Sequence, residues 1–145
     1  MRLSRIFARR ALFLSVIGAA AVGMSPVSAA PASIEGRWKV DDGTSIVTFY
    51  KCGAAICGRI EEFLVAEPKG GARDRKNPDE AKRDRKLKGL RIFWNLTADG
   101  DSWEGEGYTP KDGRYFNADL KRAGNKLEVK GCVAIFCRTL TWTRA

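Results

Sequence analysis

The chain has 145 residues, with 26 basic and 17 acidic side chains, four cysteines and no histidine. A length of this order allows one small domain, and the missing histidine excludes serine–histidine and cysteine–histidine catalysis in their usual forms and histidine-ligated zinc. The net charge of +9 is a weak argument for a polyanionic partner, because four of the basic residues fall within the first ten positions.

Those four, Arg2, Arg5, Arg9 and Arg10, form a basic n-region, and residues 11–23 follow as an unbroken run of apolar and small residues. The run is shorter than the roughly 20 apolar residues that span a bilayer core, so no stable membrane anchor is expected. Pro26-Val27-Ser28-Ala29-Ala30 supplies small residues for signal peptidase. Cleavage is expected after Ala29, because a cut after Ala30 would put Pro31 next to the scissile bond. The chain thus divides into a signal peptide, residues 1–29, and one domain, residues 30–145, periplasmic or secreted from a bacterium. The Arg9-Arg10 pair fits a twin-arginine leader and an ordinary basic n-region equally well. Removing four basic and no acidic residues lowers the net charge to +5. That value argues against nucleic acid as a partner and fits a lysine-rich exterior or affinity for an anionic envelope component.

Beyond residue 30, apolar and polar residues alternate at period two, the pattern of half-buried strands. Strands are predicted at residues 34–41, 45–51, 56–64, 90–96, 102–109, 114–121, 126–132 and 136–144. Turn signals separate several of them, at Asp41-Asp42-Gly43, Ala98-Asp99-Gly100, Lys111-Asp112-Gly113 and Ala123-Gly124-Asn125. Eight short strands at this spacing predict an all-β fold, a small antiparallel up-and-down barrel. Such a barrel is filled by its own side chains or holds one small ligand.

The charged segment 67–88 breaks the alternation. Within it Asn77-Pro78-Asp79-Glu80 carries a helix start signal, an N-cap residue followed by proline and acidic residues. One short helix is predicted over residues 78–85, capped by Asn77. Asp74, Asn77 and Asp79 lack the order of a calcium loop and are interleaved with cations, so no metal and no cofactor are predicted.

Cys52 and Cys57 flank Gly-Ala-Ala-Ile, and Cys132 and Cys137 flank Val-Ala-Ile-Phe. In an exported chain without histidine these pairs read as two disulfides rather than a zinc site. Each pair sits where two hairpin strands face one another, and in an eight-strand meander the two hairpins lie at opposite ends. The predicted bridges are therefore Cys52–Cys57 and Cys132–Cys137.

Chemistry on such a chain would rest on carboxylates. Glu61 and Glu62 point to opposite faces if both lie on a strand, whereas Glu104 and Glu106 share one. General acid and base work also needs a shielded pocket, so no catalytic residue is assigned. Trp38, Trp94, Trp103 and Trp142 lie on predicted strands, and Tyr50, Trp94, Phe116 and Trp142 are candidate walls of a ligand cavity.

Gly36-Arg37-Trp38 on the first strand, with Arg138 and Arg144 on the last, resembles the arrangement of lipocalins and other calycins, in which the tryptophan closes the barrel floor under an arginine. A closer similarity covers nearly all of the domain. Gly36-x-Trp38, Cys57-Gly58-Arg59-Ile60, Asp74-x-x-Asn77-Pro78-Asp79, Arg85-x-Leu87-x-Gly89-Leu90, Trp103-x-Gly105, Tyr108-x-Pro110-x-x-Gly113-x-x-Phe116 and Cys137-Arg138-x-x-Thr141-Trp142-Thr143-Arg144 resemble, in order, the bacterial family DUF2147. Two positions depart from it: Leu140 stands where the family often has glutamine, and Phe116 extends an aromatic pair with Tyr115. The resemblance implies a small secreted lipocalin-like barrel and no settled activity. The expected function is binding of a small apolar ligand in the periplasm, gated by the insert. The alternative is an interaction module docking on an envelope component through Arg73, Arg75, Arg83 and Arg85, and a third reading is an enzyme built on Glu104 or Glu106.

Overall fold

The computed structural model describes residues 22–145, so most of the expected leader, residues 1–21, lies outside the described residues. Eight strands follow: β1 (Gly36–Lys39), β2 (Ser45–Cys52), β3 (Ala55–Phe63), β4 (Arg91–Asp99), β5 (Ser102–Thr109), β6 (Arg114–Ala123), β7 (Lys126–Val133) and β8 (Phe136–Arg144). Each pairs antiparallel with the next, and β8 pairs back onto β1 to close an up-and-down barrel. The expected strands thus form with small shifts at their ends. The expected helix is a single 3-10 turn, Glu80–Lys82, and its N-cap is Asp79, whose carboxylate accepts from the Ala81 amide. Asn77 is instead fully buried.

Because the strands alternate in direction, the connections divide between two ends. The short turns after β2, β4 and β6 lie at the base, with the entering chain. The turns after β1, β5 and β7 surround the mouth, together with the 64–90 insert between β3 and β4. Both expected disulfides form, Cys52–Cys57 at the base and Cys132–Cys137 at the mouth.

The interior is packed with rings. Phe49 and Phe93 lie 5.2 Å apart by centroids, Phe93 and Phe116 5.8 Å, and Phe93 and Trp142 5.9 Å, within the range over which aromatic pairs attract. Glycines make the room for them. A Cβ on Gly58 would come within 2.8 Å of the Phe49 ring, and one on Gly107 within 2.3 Å of the Phe116 ring. A bulge in β4 adds to the filling. Asn95 takes a positive φ of 56°, the register against β5 shifts between Trp94 and Thr97, and Leu96 is fully buried.

Closure is lopsided. β1 has four residues, and its register with β8 comprises only Trp38↔Arg144 and Lys39↔Thr143. From residue 136 to 142, β8 has no strand on that side among the described residues.

Packing of the Phe116 ring over Gly107 predicts that Gly107→Ala destabilises the barrel by roughly 1–3 kcal/mol, the usual cost of overpacking a filled core. Urea titration should show this loss, and Phe116→Leu in the same chain should recover part of it.

Candidate functional site

At the base, Trp38 is fully buried and its indole N–H donates to the Ile34 carbonyl at 2.8 Å. The Arg144 guanidinium lies 4.6 Å from the centre of that ring and donates to the Glu35 carbonyl at 2.8 Å. Gly36 adopts a φ of 108°, and a Cβ there would sit 2.7 Å from Arg144 Nη1, so glycine lets the cation pass between strand and indole. Arg122 joins from β6, 5.8 Å from the Trp38 ring and bonded to the Ser33 carbonyl. Trp103 donates to the Ala32 carbonyl. Of the two arginines expected above the tryptophan, only Arg144 serves. Arg138 lies six residues back along β8, toward the mouth. Arg122 escaped the sequence reading because nothing in its surroundings marks it off from other strand cations.

On the outer wall near the mouth, the insert is fastened by a buried polar network. Asp74 and Asn77 are fully buried, as is nearly all of Tyr108 from β5. The Tyr108 hydroxyl donates to Asp74 Oδ1 at 2.5 Å, the Asn77 amide donates to Asp74 Oδ2 at 2.8 Å, and Arg85 Nε donates to the same oxygen at 2.8 Å. Asn77 Oδ1 accepts from the Asp79 amide, and its carbonyl accepts from Arg83. Burial, then the hydrogen bond to Asp74 and that carboxylate's charge, push the Tyr108 phenol up to about 12. This explains the shift in the helix cap: Asn77 is used to join insert and wall, so capping passes to Asp79. Pro78 and Gly89 belong to the same ordered segment, Gly89 donating to the Ile60 carbonyl of β3.

The arginines expected to greet a partner are largely engaged within the insert. Arg85 binds Asp74, Arg83 the Asn77 carbonyl and Glu80, Arg73 the Asp84 carbonyl, and Arg75 the Asp84 carboxylate. Lys69, Lys86 and Lys88 are exposed and carry no ion pair among the described residues.

The carboxylates lie outside the barrel. Glu104 and Glu106 share a face, and it is the outer wall, where they line an open groove with Asn95, Asn117, Asp119 and Lys130. Asn95 donates to Glu106. Asp99, more than any other neighbour, raises the affinity of Glu104 for its proton. Among the described residues nothing closes over this open groove, and acid–base chemistry requires a shielded pocket. Glu61 and Glu62 correct an expectation. They do not diverge, because both accept from Arg37, next to a register irregularity between Ile46 and Val47. Glu61 is held below the usual carboxylate range by the Thr48 hydroxyl and then by Arg37.

The four candidate wall residues separate into two sets. Phe116 and Trp142 face inward, as part of the aromatic filling. Tyr50 and Trp94 do not line the interior. Tyr50, next to inward Phe49, accepts from Arg91 and lies under Arg59, and Trp94, next to inward Phe93, meets Tyr115 edge-on. Inside, the indole N–H of Trp142 is buried with no acceptor among the described residues. Above it on the same face of β8 stand half-buried Leu140 and then exposed Arg138, the latter in register with Gly131. The filling therefore reaches Trp142, and the inner face of β8 above it is uncovered.

Two outcomes follow for the insert network. Arg85→Met should cost roughly 3 kcal/mol, at the low end for breaking a buried pair because Arg85 is partly exposed, and urea titration measures it. The raised Tyr108 value means that the folded state holds its proton more tightly than the unfolded chain, whose phenol titrates near 10. That contribution to stability is complete below about pH 10 and is lost as the pH rises toward 12. Alkaline unfolding of Tyr108→Phe should lack this component.

A search of the curated proteins found no match to the sequence. Among solved structures, the fold is similar to that of HP1028 from the human pathogen Helicobacter pylori, described as belonging to the lipocalin family. The TM-score is 0.69 at 20% identity, covering 78% of this chain and 83% of that one, a likeness that establishes the fold alone. The family model described as "Uncharacterized protein conserved in bacteria (DUF2147)" matches residues 36–144, the span from the glycine beside the buried tryptophan to the arginine that covers it, and the chain belongs to that family.

Proposed function

We propose that the protein is exported and binds a small, largely apolar molecule bearing a carbonyl or carboxylate oxygen, held at the mouth along the inner face of β8. The observation that carries this reading is the Trp142 N–H, buried without an acceptor. An unpaired buried donor costs about 1–3 kcal/mol, and buried side-chain donors in native proteins are mostly paired. A ligand oxygen reaching it past Leu140 would recover that cost. Leu140, where the family often carries glutamine, keeps the approach apolar. A lipocalin-like barrel is compatible with small-ligand binding, and the packed aromatic interior favours a shallow site over a deep chamber.

Two local disulfides support an oxidising compartment. The ordered contacts of the base begin at Ala32 and Ser33, just past the expected cut after Ala29, which supports a periplasmic or secreted domain.

Native mass spectrometry of protein purified from the periplasm tests this reading. The wild type should carry a co-purifying mass above that of the processed, twice-bridged chain, and after stripping should bind decanoate by calorimetry. Trp142→Phe should lower that affinity about tenfold, the value of one hydrogen bond to a buried donor; because it also trims a ring packed on Phe49 and Phe93, urea titration of the stripped protein measures the separate packing loss. Leu140→Gln should weaken it as well. A wild type that runs at its bare mass and leaves decanoate unbound overturns the reading.

A further inference from the structure

The turn between β7 and β8 carries an apolar tip. Val133, Ile135 and Phe136 are 44%, 87% and 77% exposed, and Ala134 takes a positive φ of 52° to make the bend. The Cys132–Cys137 bridge holds the hairpin directly behind them. Large apolar groups clustered on a rigid projection are a costly surface in water and mark a contact site.

Charge indicates what the contact is. The paired positions run back from the tip as Val133↔Phe136, Cys132↔Cys137, Gly131↔Arg138 and Lys130↔Thr139. Arg138 thus flanks the tip on the inner face of the hairpin, while Lys130, on the outer face, lies in register with Asp119 of β6. Arg138 follows Phe136 by two residues, about 7 Å along a strand. No acidic residue occurs from Val129 to the last residue, Ala145. Across the mouth, at the same end, the insert presents exposed Lys69, Lys86 and Lys88, which carry no ion pair among the described residues. The acidic residues of the neighbouring turns are Asp41, Asp42 and Asp112, and Asp42 is paired with Lys111.

We propose that this tip inserts into the interfacial region of an anionic phospholipid bilayer. Interfacial segments bury their apolar groups about 5–10 Å deep with cations at the headgroups, and the step from Phe136 to Arg138 matches that depth. The insert lysines supply a second electrostatic contact. Two copies meeting tip to tip would oppose Arg138 to its counterpart, so like charge disfavours a self-contact. The proposal does not rest on the ligand reading, since an empty barrel would dock in the same way.

The test is co-sedimentation of the processed protein with vesicles of phosphatidylcholine, alone or with about one third phosphatidylglycerol, the anionic component that draws basic residues. Binding is expected to the anionic vesicles and to fall as salt is raised to about 0.5 M. The double variant Ile135→Ser, Phe136→Ser should bind at least about tenfold more weakly, given the apolar area removed, while far-UV circular dichroism and both bridges stay unchanged. The triple variant Lys69→Gln, Lys86→Gln, Lys88→Gln leaves the tip intact and should bind roughly tenfold to a hundredfold more weakly. Failure to sediment with anionic vesicles, or equal binding by the tip variant, overturns the proposal. So does a dimer in vesicle-free solution that the tip variant dissolves.

Discussion

Closure of this barrel depends on the clamp around Trp38. The ladder between β1 and β8 holds only two residue pairs, too few for a seam that must resist the rest of the sheet. The missing cohesion comes from side chains. A fully buried indole is bonded to the entering chain, and the guanidinium of the last strand lies over its face, an arrangement in which cation–π attraction adds to burial. Gly36 is part of the clamp, since any side chain there would occupy the path of Arg144. The base is therefore the fixed end, and the uncovered upper part of β8 is the direct counterpart of so short a β1.

A second constraint acts on the outside. The Asp74, Asn77, Tyr108 and Arg85 network joins a charged insert to the barrel wall with every polar partner satisfied. Such networks specify one arrangement over its competitors, because a partly satisfied version is so costly in a low-dielectric site. Residues that look in sequence like a metal loop or a docking patch are thus absorbed in fastening. What remains for outside contact is Lys69, Lys86 and Lys88, since Lys76 is bonded to the Lys111 carbonyl and Lys82 is paired with Asp79.

Much of the architecture was legible in sequence because alternation at period two is a direct imprint of a half-buried strand, as in Leu127 and Val129 against Glu128 and Lys130. Cysteine spacing located two hairpins for the same reason: strands that face each other bring their side chains into reach. Facing direction was not legible where aromatic residues are adjacent. Phe49-Tyr50, Phe93-Trp94 and Tyr115-Phe116 each place a ring on both sides of the wall, and period two alone does not say which is inside. The β4 bulge shifts the pattern again at Leu96. Asn77 misled for a different reason. Its neighbours spell a cap, but burial against Tyr108 is a tertiary fact with no local signal.

The two disulfides have the same spacing and opposite surroundings. Cys57 is buried in the wall beside the base, whereas Cys137 is exposed at the mouth. A reductant entering from solvent therefore attacks the mouth bridge first, because exchange requires access to sulfur. Fraying would begin in the hairpin that carries Ile135 and Phe136, while the clamp at the base still holds the barrel closed. The domain thus depends on oxidising surroundings in two grades, first for the rigidity of its projecting tip and only afterwards for its shape.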